Sequence, residues 1–129
     1  MLSIVRIMSA LLFLEHGTQK LFAFPTASRW GVAPLFSLIG FEGCLEVTGG
    51  ILLALGLRTR IVAFILSGEM AFAYFIAHAP RSFYPLLNNG DAAILFCFIF
   101  LLFVFTGGGA WSVDGKLGWD TSRPGKDAP

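Results

Sequence analysis

Charged residues are scarce in this chain of 129 residues, where Asp, Glu, Lys and Arg together make up only 13% of the sequence. An ordinary soluble domain contains about 25%. Hydrophobic residues, by contrast, reach 56%, and 14 residues are Phe. A water-soluble fold of this size could not bury so many apolar side chains. The composition therefore excludes an ordinary soluble domain and predicts an integral membrane protein in contact with the lipid bilayer.

The chain also lacks any run of basic residues, and its formal net charge is only +1. This argues against nucleic acid as a partner. The two cysteines, Cys44 and Cys97, lack the paired spacing that iron–sulfur and zinc sites require. We expect both to be free thiols that pack as small apolar groups.

A glutamate followed three residues later by a histidine, which is typical of di-iron centres in helical bundles, is missing as well. The residues three positions after the glutamates are Thr18, Leu45, Gly49 and Phe72. We therefore expect no metal site.

Four apolar stretches are long enough for a membrane-spanning helix, which needs about 20 residues. Because lipid cannot satisfy open backbone groups, we expect these stretches to be helical. The predicted spans are Leu2–Phe22, Pro34–Leu57, Ile61–Ala79 and Pro85–Thr106. The sequence thus predicts an all-α fold, an integral membrane four-helix bundle.

Basic residues near the ends of these spans predict the orientation. One side collects Arg6, Arg58, Arg60, Lys116, Arg123 and Lys126, and the other side collects Lys20, Arg29 and Arg81. Because the richer side is normally cytoplasmic, we expect both termini to face the cytoplasm. Residues 1–114 would form the membrane domain, and residues 115–129 a polar tail that is mobile beyond Trp119.

The four glutamates of the chain all fall inside predicted spans. They are Glu15, Glu42, Glu46 and Glu69. A charged side chain at mid-membrane costs about 2.5–3.5 kcal/mol on insertion scales, so these acids need partners, protons or a ligand. A rise of about 1.5 Å per residue puts all four at a similar depth. His16 and Lys20, four apart on the first helix, can pair with each other or with Glu42.

The helix face of Glu42 and Glu46 continues through Gly49 and Gly50. Small residues let another helix approach closely, and we expect the third span in that position.

The acids and His16 permit two interpretations. Protonated glutamates and a neutral histidine can act as packing groups that hydrogen-bond across helices. Alternatively, they form a proton relay or the head-group pocket of a quinone-like molecule. In that pocket His16 or Lys20 would donate to a carbonyl oxygen, and a carboxylate would exchange the proton.

A second polar group lies at the outer end of the third and fourth spans. Its members are His78, Arg81, Tyr84, Asn88 and Asp91. Asp91 near a helix start and Asn88 beside it can simply satisfy backbone amides. Otherwise the group forms the mouth of the interior site, with Tyr84 as a lid.

Several short motifs follow one another in a fixed order along residues 1–114. They are Arg6, Glu15-His16-Gly17 with Lys20, Glu42–Gly50, Gly56–Arg60, Glu69, His78–Pro85, Asn88–Asp91 and Gly107–Asp114. This order resembles the DoxX family of small four-helix membrane proteins. Asp91 stands where that family commonly has Glu, and Gly108 and Ala110 stand where proline is common.

The resemblance implies a multi-pass protein of the bacterial inner membrane. Relatives in the family include a subunit of a thiosulfate:quinone oxidoreductase and a membrane partner of thiol-handling enzymes in an oxidative-stress complex. We therefore expect a membrane subunit of a redox-linked complex, with a quinone as the implied ligand and membrane or peripheral redox proteins as partners. A homo-oligomer is compatible with the sequence. The alternative is a non-catalytic scaffold, and the residues leave open whether the chain is an enzyme.

Overall fold

The computed structural model describes residues 1–28 and 31–119, and all regular secondary structure in these two ranges is helical. The helices are α1 (Leu2–Phe22), α2 (Leu38–Leu55), α3 (Thr59–Ala73), α4 (Pro85–Asn88), α5 (Asp91–Thr106) and α6 (Val113–Leu117), and a π-helical turn at Tyr74–His78 continues α3. The all-α prediction is confirmed. Arg29, Arg123 and Lys126 lie outside the described residues, as does the tail beyond Trp119.

The helix α1 has the bounds that the sequence predicts, whereas α2 begins four residues later than the predicted Pro34. Ser37 has an extended backbone, and its hydroxyl accepts a hydrogen bond from the Gly40 amide at 3.0 Å. Such a cap satisfies an amide that the first helical turn leaves free. At the other end Gly56 has a φ of 69°, which glycine adopts without strain, and it ends α2.

The prediction of one helix from Pro85 to Thr106 is wrong, because the chain breaks between α4 and α5. Asn89 adopts a left-handed conformation with a φ of 57°. The Asn88 side-chain oxygen accepts a hydrogen bond from the Gly90 amide at 2.7 Å. This local turn forms instead of a continuous helix, because asparagine tolerates the left-handed region and its side chain bonds to the nearby backbone.

The helices pack in two pairs, α1 along α2 and α3 along α5, and contacts of α2 with α3 and of α1 with α5 join the pairs. Glycines allow the close approach of α1 and α2. A Cβ atom on Gly17 would lie 2.8 Å from Val47, and one on Gly50 would lie 2.7 Å from Leu14. The close neighbour of α2 is therefore α1 rather than the expected third span. Of the two glycines Gly49 and Gly50 on α2, only Gly49 faces α3.

The core between the helices is small, and most large apolar side chains point outward. The fully buried ones include Phe13, Leu53, Phe100 and Phe103. Among the described helices, Leu38–Leu55 and Thr59–His78 are long and apolar enough to cross a membrane, each with a mean hydropathy of 1.7. The helix α5 is equally apolar in character but shorter.

Arg6 is fully buried at the end of the molecule where α1 begins, which we call the Arg6 end. Its guanidinium donates to the carbonyl oxygens of Leu53 at 2.7 Å, Ala54 at 3.1 Å and Trp111 at 2.5 Å. Two of these carbonyls belong to the last turn of α2, where intrahelical donors run out. Arg6 therefore closes the end of α2 and ties it to the C-terminal segment.

Asp114 satisfies the backbone amides that the start of α3 leaves free. Its two carboxylate oxygens accept hydrogen bonds from the amides of Arg58 and Thr59, each at 2.7 Å. Its own amide donates to the Gly56 carbonyl oxygen at 2.9 Å. A residue more than fifty positions away in sequence thus caps α3 and fixes the turn between α2 and α3.

We expect Asp114→Ala to destabilise the protein by about 1–2 kcal/mol, because the amides of Arg58 and Thr59, the second of them buried, lose their acceptor. Thermal melting in mild detergent measures the change. Asp91→Ala is the matched control, since Asp91 is an exposed aspartate in the first turn of α5. Equal melting temperatures for the two variants would contradict the capping role.

Candidate functional site

Lys20 links α1 to two glutamates of α2. Its ammonium donates to Glu46 Oε1 at 2.8 Å and to Glu42 Oε2 at 3.2 Å. Glu42 and Glu46 lie one helical turn apart and so present their carboxylates to the same neighbour. Gly17 makes this contact possible, because a Cβ atom there would come within 2.9 Å of the Glu46 Cβ. One ammonium therefore serves two carboxylates.

The second oxygen of Glu46 has no hydrogen-bond partner among the described residues, and neither oxygen of Glu69 has one. Each of these three atoms exposes less than 1 Å². Glu69 lies within electrostatic range of Glu46, Lys20 and Glu42. Buried polar atoms in proteins are satisfied with few exceptions, so each exception requires a reason such as a bound proton or ligand. Arg6 Nε and Thr59 Oγ1 are also buried without a partner among the described residues, so an unsatisfied atom alone is not decisive. The grouping of three such carboxylate oxygens within electrostatic range of Lys20 marks this region as the candidate site.

A cavity of about 230 Å³ lies beside Lys20 and Glu46. Its walls are Phe13, His16, Lys20, Glu46, Met70, Ala73, His78, Asn89, Ala92, Ala93 and Phe96. An apolar cavity of about 150 Å³ is known to admit benzene in another protein. The cavity is therefore large enough for one substituted six-membered ring, and a few polar groups converge on its mostly apolar wall.

The π-helical turn that follows α3 brings His78 to this cavity. His78 Nδ1 lies 2.9 Å from the carbonyl oxygen of Asn88. A carbonyl oxygen can only accept, so Nδ1 carries the hydrogen, and in the neutral ring Nε2 is left as an acceptor. Asn88 is itself held in place, because its side-chain nitrogen donates to the Ser82 carbonyl oxygen at 2.8 Å. The ring of His78 thus has a fixed orientation and a defined role as acceptor.

The structure brings some of the sequence-predicted site residues together and separates others. His16, Lys20 and Glu46 line the cavity with His78, and Glu42 joins them through Lys20. Glu15 is exposed and does not line the cavity. The rise per residue of the helix nevertheless predicts a depth in the membrane similar to that of the other glutamates. Glu69 lines a different groove, between α2 and α3.

The residues of the second polar group, at the predicted outer end of the third and fourth spans, are also separated: some lie at the cavity and others do not. His78 lines the cavity, and Asn88 orients it from a fully buried position. Arg81, Tyr84 and Asp91 are exposed and do not line the cavity.

Sequence reasoning missed most of the cavity wall and one glycine that shapes it. Met70 and Phe96 are apolar residues among many, and nothing in the pattern singles them out. Gly17 could have been identified from the sequence as a small residue next to Glu15 and His16. A small residue at this position lets α2 approach closely and brings Glu46 against α1. No group of His, Cys, Asp and Glu suited to a metal ion occurs within residues 1–28 and 31–119.

The model of one protein family, DoxX, matches residues 1–79 of the chain. The chain belongs to the DoxX family. The matched range contains Lys20, Glu42, Glu46 and Glu69, as well as His78. The resemblance that the sequence motifs indicate is confirmed, and the chain is a membrane protein of this family.

Two relatives show how far the similarity extends. An uncharacterized protein of Haemophilus influenzae is 43% identical over 120 residues, which are 90% of each chain. An uncharacterized membrane protein of Mycobacterium tuberculosis is 29% identical across 88% of this chain and 78% of its own. No solved structure matches the chain.

We expect Lys20→Met to destabilise this DoxX protein, because it leaves the buried Glu46 without its counter-ion. Since Lys20 itself is partly exposed, the loss should be smaller than the cost of about 3–5 kcal/mol for a fully buried pair. The double variant Lys20→Met with Glu46→Gln should recover much of the loss. Thermal melting of the two variants and of Glu46→Gln alone completes a double-mutant cycle. Strictly additive changes would show that the contact contributes nothing.

Proposed function

We propose that this DoxX protein crosses the bacterial inner membrane as a four-helix bundle of α1, α2, α3 with its π-helical turn, and α5. Its large exposed apolar side chains, such as Phe64, Phe98 and Phe105, suit a surface solvated by lipid. Arg6 and the Arg58–Arg60 turn lie together at the Arg6 end. The excess of basic residues there supports a cytoplasmic location for this end and for both termini.

We propose further that the protein is a membrane subunit of a redox-linked complex and that its cavity binds a quinone-like molecule. One observation carries this proposal. Glu46 is only 2% exposed, Lys20 holds one of its oxygens, and the other oxygen is buried without a partner among the described residues, beside a cavity that fits a ring. Ionisable groups inside a membrane protein are by default candidates for function.

The polar groups of the cavity complement both redox forms of such a ring. Lys20 donates, so it can bind a carbonyl oxygen of the oxidised form. His78 Nε2 accepts, so it can bind a hydroxyl group of the reduced form, and a rotation of the buried Glu46 carboxylate would offer a second acceptor. The carboxylate of Glu46 can then take up or return a proton, which is general acid–base chemistry. Phe13 and Phe96 supply an apolar wall for the ring.

The competing proposal is a scaffold that only docks other membrane proteins. In that case the Lys20 pair fixes the register of α1 against α2 and has no ligand. The cavity of about 230 Å³ beside the Lys20–Glu46 pair favours the ligand site, because fixing the helix register requires no such opening.

Topology reporters test the membrane arrangement. We expect a reporter that is active only in the cytoplasm to be active when fused after Gly118 or inserted at Leu57, and inactive when inserted at Ser82. The positive charge of the Arg6 end is the physical reason. Activity at Ser82 with inactivity at the other two positions would reverse the orientation.

The binding of decylubiquinone to the protein in lipid nanodiscs tests the site. We expect saturable binding by the wild type, and a loss of about tenfold or more in affinity for Glu46→Gln combined with Glu42→Gln, which keeps shape but removes proton exchange. Ala92→Phe should block binding by filling the cavity while leaving every ionisable group in place. Glu15→Gln is the matched control and should bind as the wild type does.

Wild-type protein without saturable binding would exclude the quinone site. If both glutamine substitutions also left co-purifying partner proteins and cellular function unchanged, the scaffold would be the better account.

A further inference from the structure

A third recess lies at the Arg6 end of the molecule, and we call it the Arg58 pocket. Its volume is about 140 Å³. The wall is formed by Arg58, Arg60, Ile61, Gly107, Asp114 and Trp119. None of these residues belongs to the wall of the cavity or of the groove. Two guanidinium groups in one recess suit an anionic ligand.

Asp114, the acid in this wall, is already committed to other partners. Its two carboxylate oxygens accept hydrogen bonds from the backbone amides of Arg58 and Thr59, each at 2.7 Å. Its charge also acts on Arg6, which is fully buried. Within residues 1–28 and 31–119, the guanidinium of Arg58 forms no ion pair. The positive charge of Arg58 is therefore available to a ligand.

Both guanidinium groups are held in place by contacts with other parts of the chain. Arg60 donates through one nitrogen to the carbonyl oxygens of Val104 and Phe105, each at 2.9 Å, in the last turn of α5. The guanidinium carbon of Arg58 lies 4.3 Å from the ring centre of Trp119. Side chains that are already ordered lose less conformational entropy when a ligand binds.

The Arg58 pocket lies where two apolar helices end. The apolar stretch Thr59–His78 begins beside it, and α5 ends at Thr106. If both helices cross the membrane, the pocket lies at the level of the phospholipid headgroups, where tryptophan is also enriched. Below the arginines the surface is apolar, since Ile61 is 58% exposed and Phe64, one turn further along α3, is 65% exposed. A ligand with an anionic head and an apolar chain matches both parts of this surface.

We propose that the Arg58 pocket binds the phosphate group of an anionic phospholipid, with an acyl chain along Ile61 and Phe64. The planar guanidinium groups of Arg58 and Arg60 donate to the phosphate oxygens, which is the geometry that arginine favours. Basic pockets between transmembrane helices are known to bind such headgroups. The proposal rests on the membrane arrangement proposed above for α3 and α5, but it does not depend on the quinone site.

Native mass spectrometry of the full chain in mild detergent tests the pocket. The probes are phosphatidylglycerol and phosphatidylcholine with the same acyl chains, and glycerophosphoglycerol, which is the anionic headgroup without its chains. We expect phosphatidylglycerol to bind saturably and at least about fivefold more tightly than phosphatidylcholine, because only the first carries a net negative charge. Glycerophosphoglycerol should not bind saturably at the same concentrations, because it cannot use the apolar surface.

A matched pair of variants separates the pocket from general attraction by positive charge. Arg58→Gln and Lys116→Gln each remove one positive charge, and Lys116 is an exposed residue of α6 outside the pocket wall. Arg58→Gln should lower the affinity for phosphatidylglycerol by about tenfold, whereas Lys116→Gln should leave it unchanged. Arg58→Lys should bind with intermediate affinity, because it keeps the charge but loses the planar pair of donors.

Thermal melting provides a second measurement on the same proteins. A lipid that binds the folded protein raises its melting temperature, so phosphatidylglycerol should stabilise the wild type and Lys116→Gln but not Arg58→Gln. Because Arg58 is exposed, Arg58→Gln should fold, and its melting temperature in phosphatidylcholine verifies this.

Three results would overturn the proposal. Equal affinity of the wild type for the two lipids would show that the headgroup charge is not recognised. An equal loss in Arg58→Gln and Lys116→Gln would show that only the overall charge matters. Saturable binding of glycerophosphoglycerol would assign the pocket to a water-soluble phosphate compound instead of a lipid. The topology reporters test the membrane arrangement without any added lipid, so its failure can be told from failure of the pocket.

Discussion

The ammonium of Lys20, held by Glu46 and Glu42, is the contact on which the site depends. An ion pair in a medium of low dielectric constant is strong, yet removing its partners from water offsets most of that gain. The pair therefore stabilises the structure only if α1 and α2 are already close, and Gly17 provides that proximity. Once the helices are in contact, the pair fixes their rotation. Glu46 then has one oxygen on Lys20 and the other buried beside the cavity.

Polar groups at the Arg6 end and in the middle of the helices have different partners. At the Arg6 end, Arg6 and Asp114 bond to backbone groups that the ends of α2 and α3 leave free, although Arg6 Nε and Thr59 Oγ1 have no partner among the described residues. In the middle of α2, Glu46 bonds to the side chain of Lys20 beside a cavity. The charges of Arg6 and Asp114 therefore serve the backbone, whereas those around Lys20 serve one another.

The sequence predicts the level of a residue along a helix better than its direction around the helix. Apolar composition correctly bounds α1 even though the stretch carries Arg6, Glu15 and Lys20, because lipid leaves the backbone no alternative to a helix. The same composition places the start of α2 too early and joins α4 to α5, because short-range hydrogen bonds to the side chains of Ser37 and Asn88 determine where these helices begin or end. Helical rise puts Glu15 and Glu46 at similar depth, yet one is exposed and the other buried. Rotation is set by which side chains pack, and that depends on small residues such as Gly17.

The cavity and the groove lie on two sides of α2, and Lys20 joins them electrostatically through Glu46 and Glu42. A ligand that neutralises Glu46 leaves the ammonium free to bind Glu42 more tightly. That shift changes the potential at Glu69, which lies within range of all three groups. By thermodynamic linkage the effect is reciprocal, so a change in the protonation of Glu69 must change the proton affinity of Glu46 in turn. Ionisable groups that share one counter-ion cannot bind protons or ligands independently, even where they line different recesses.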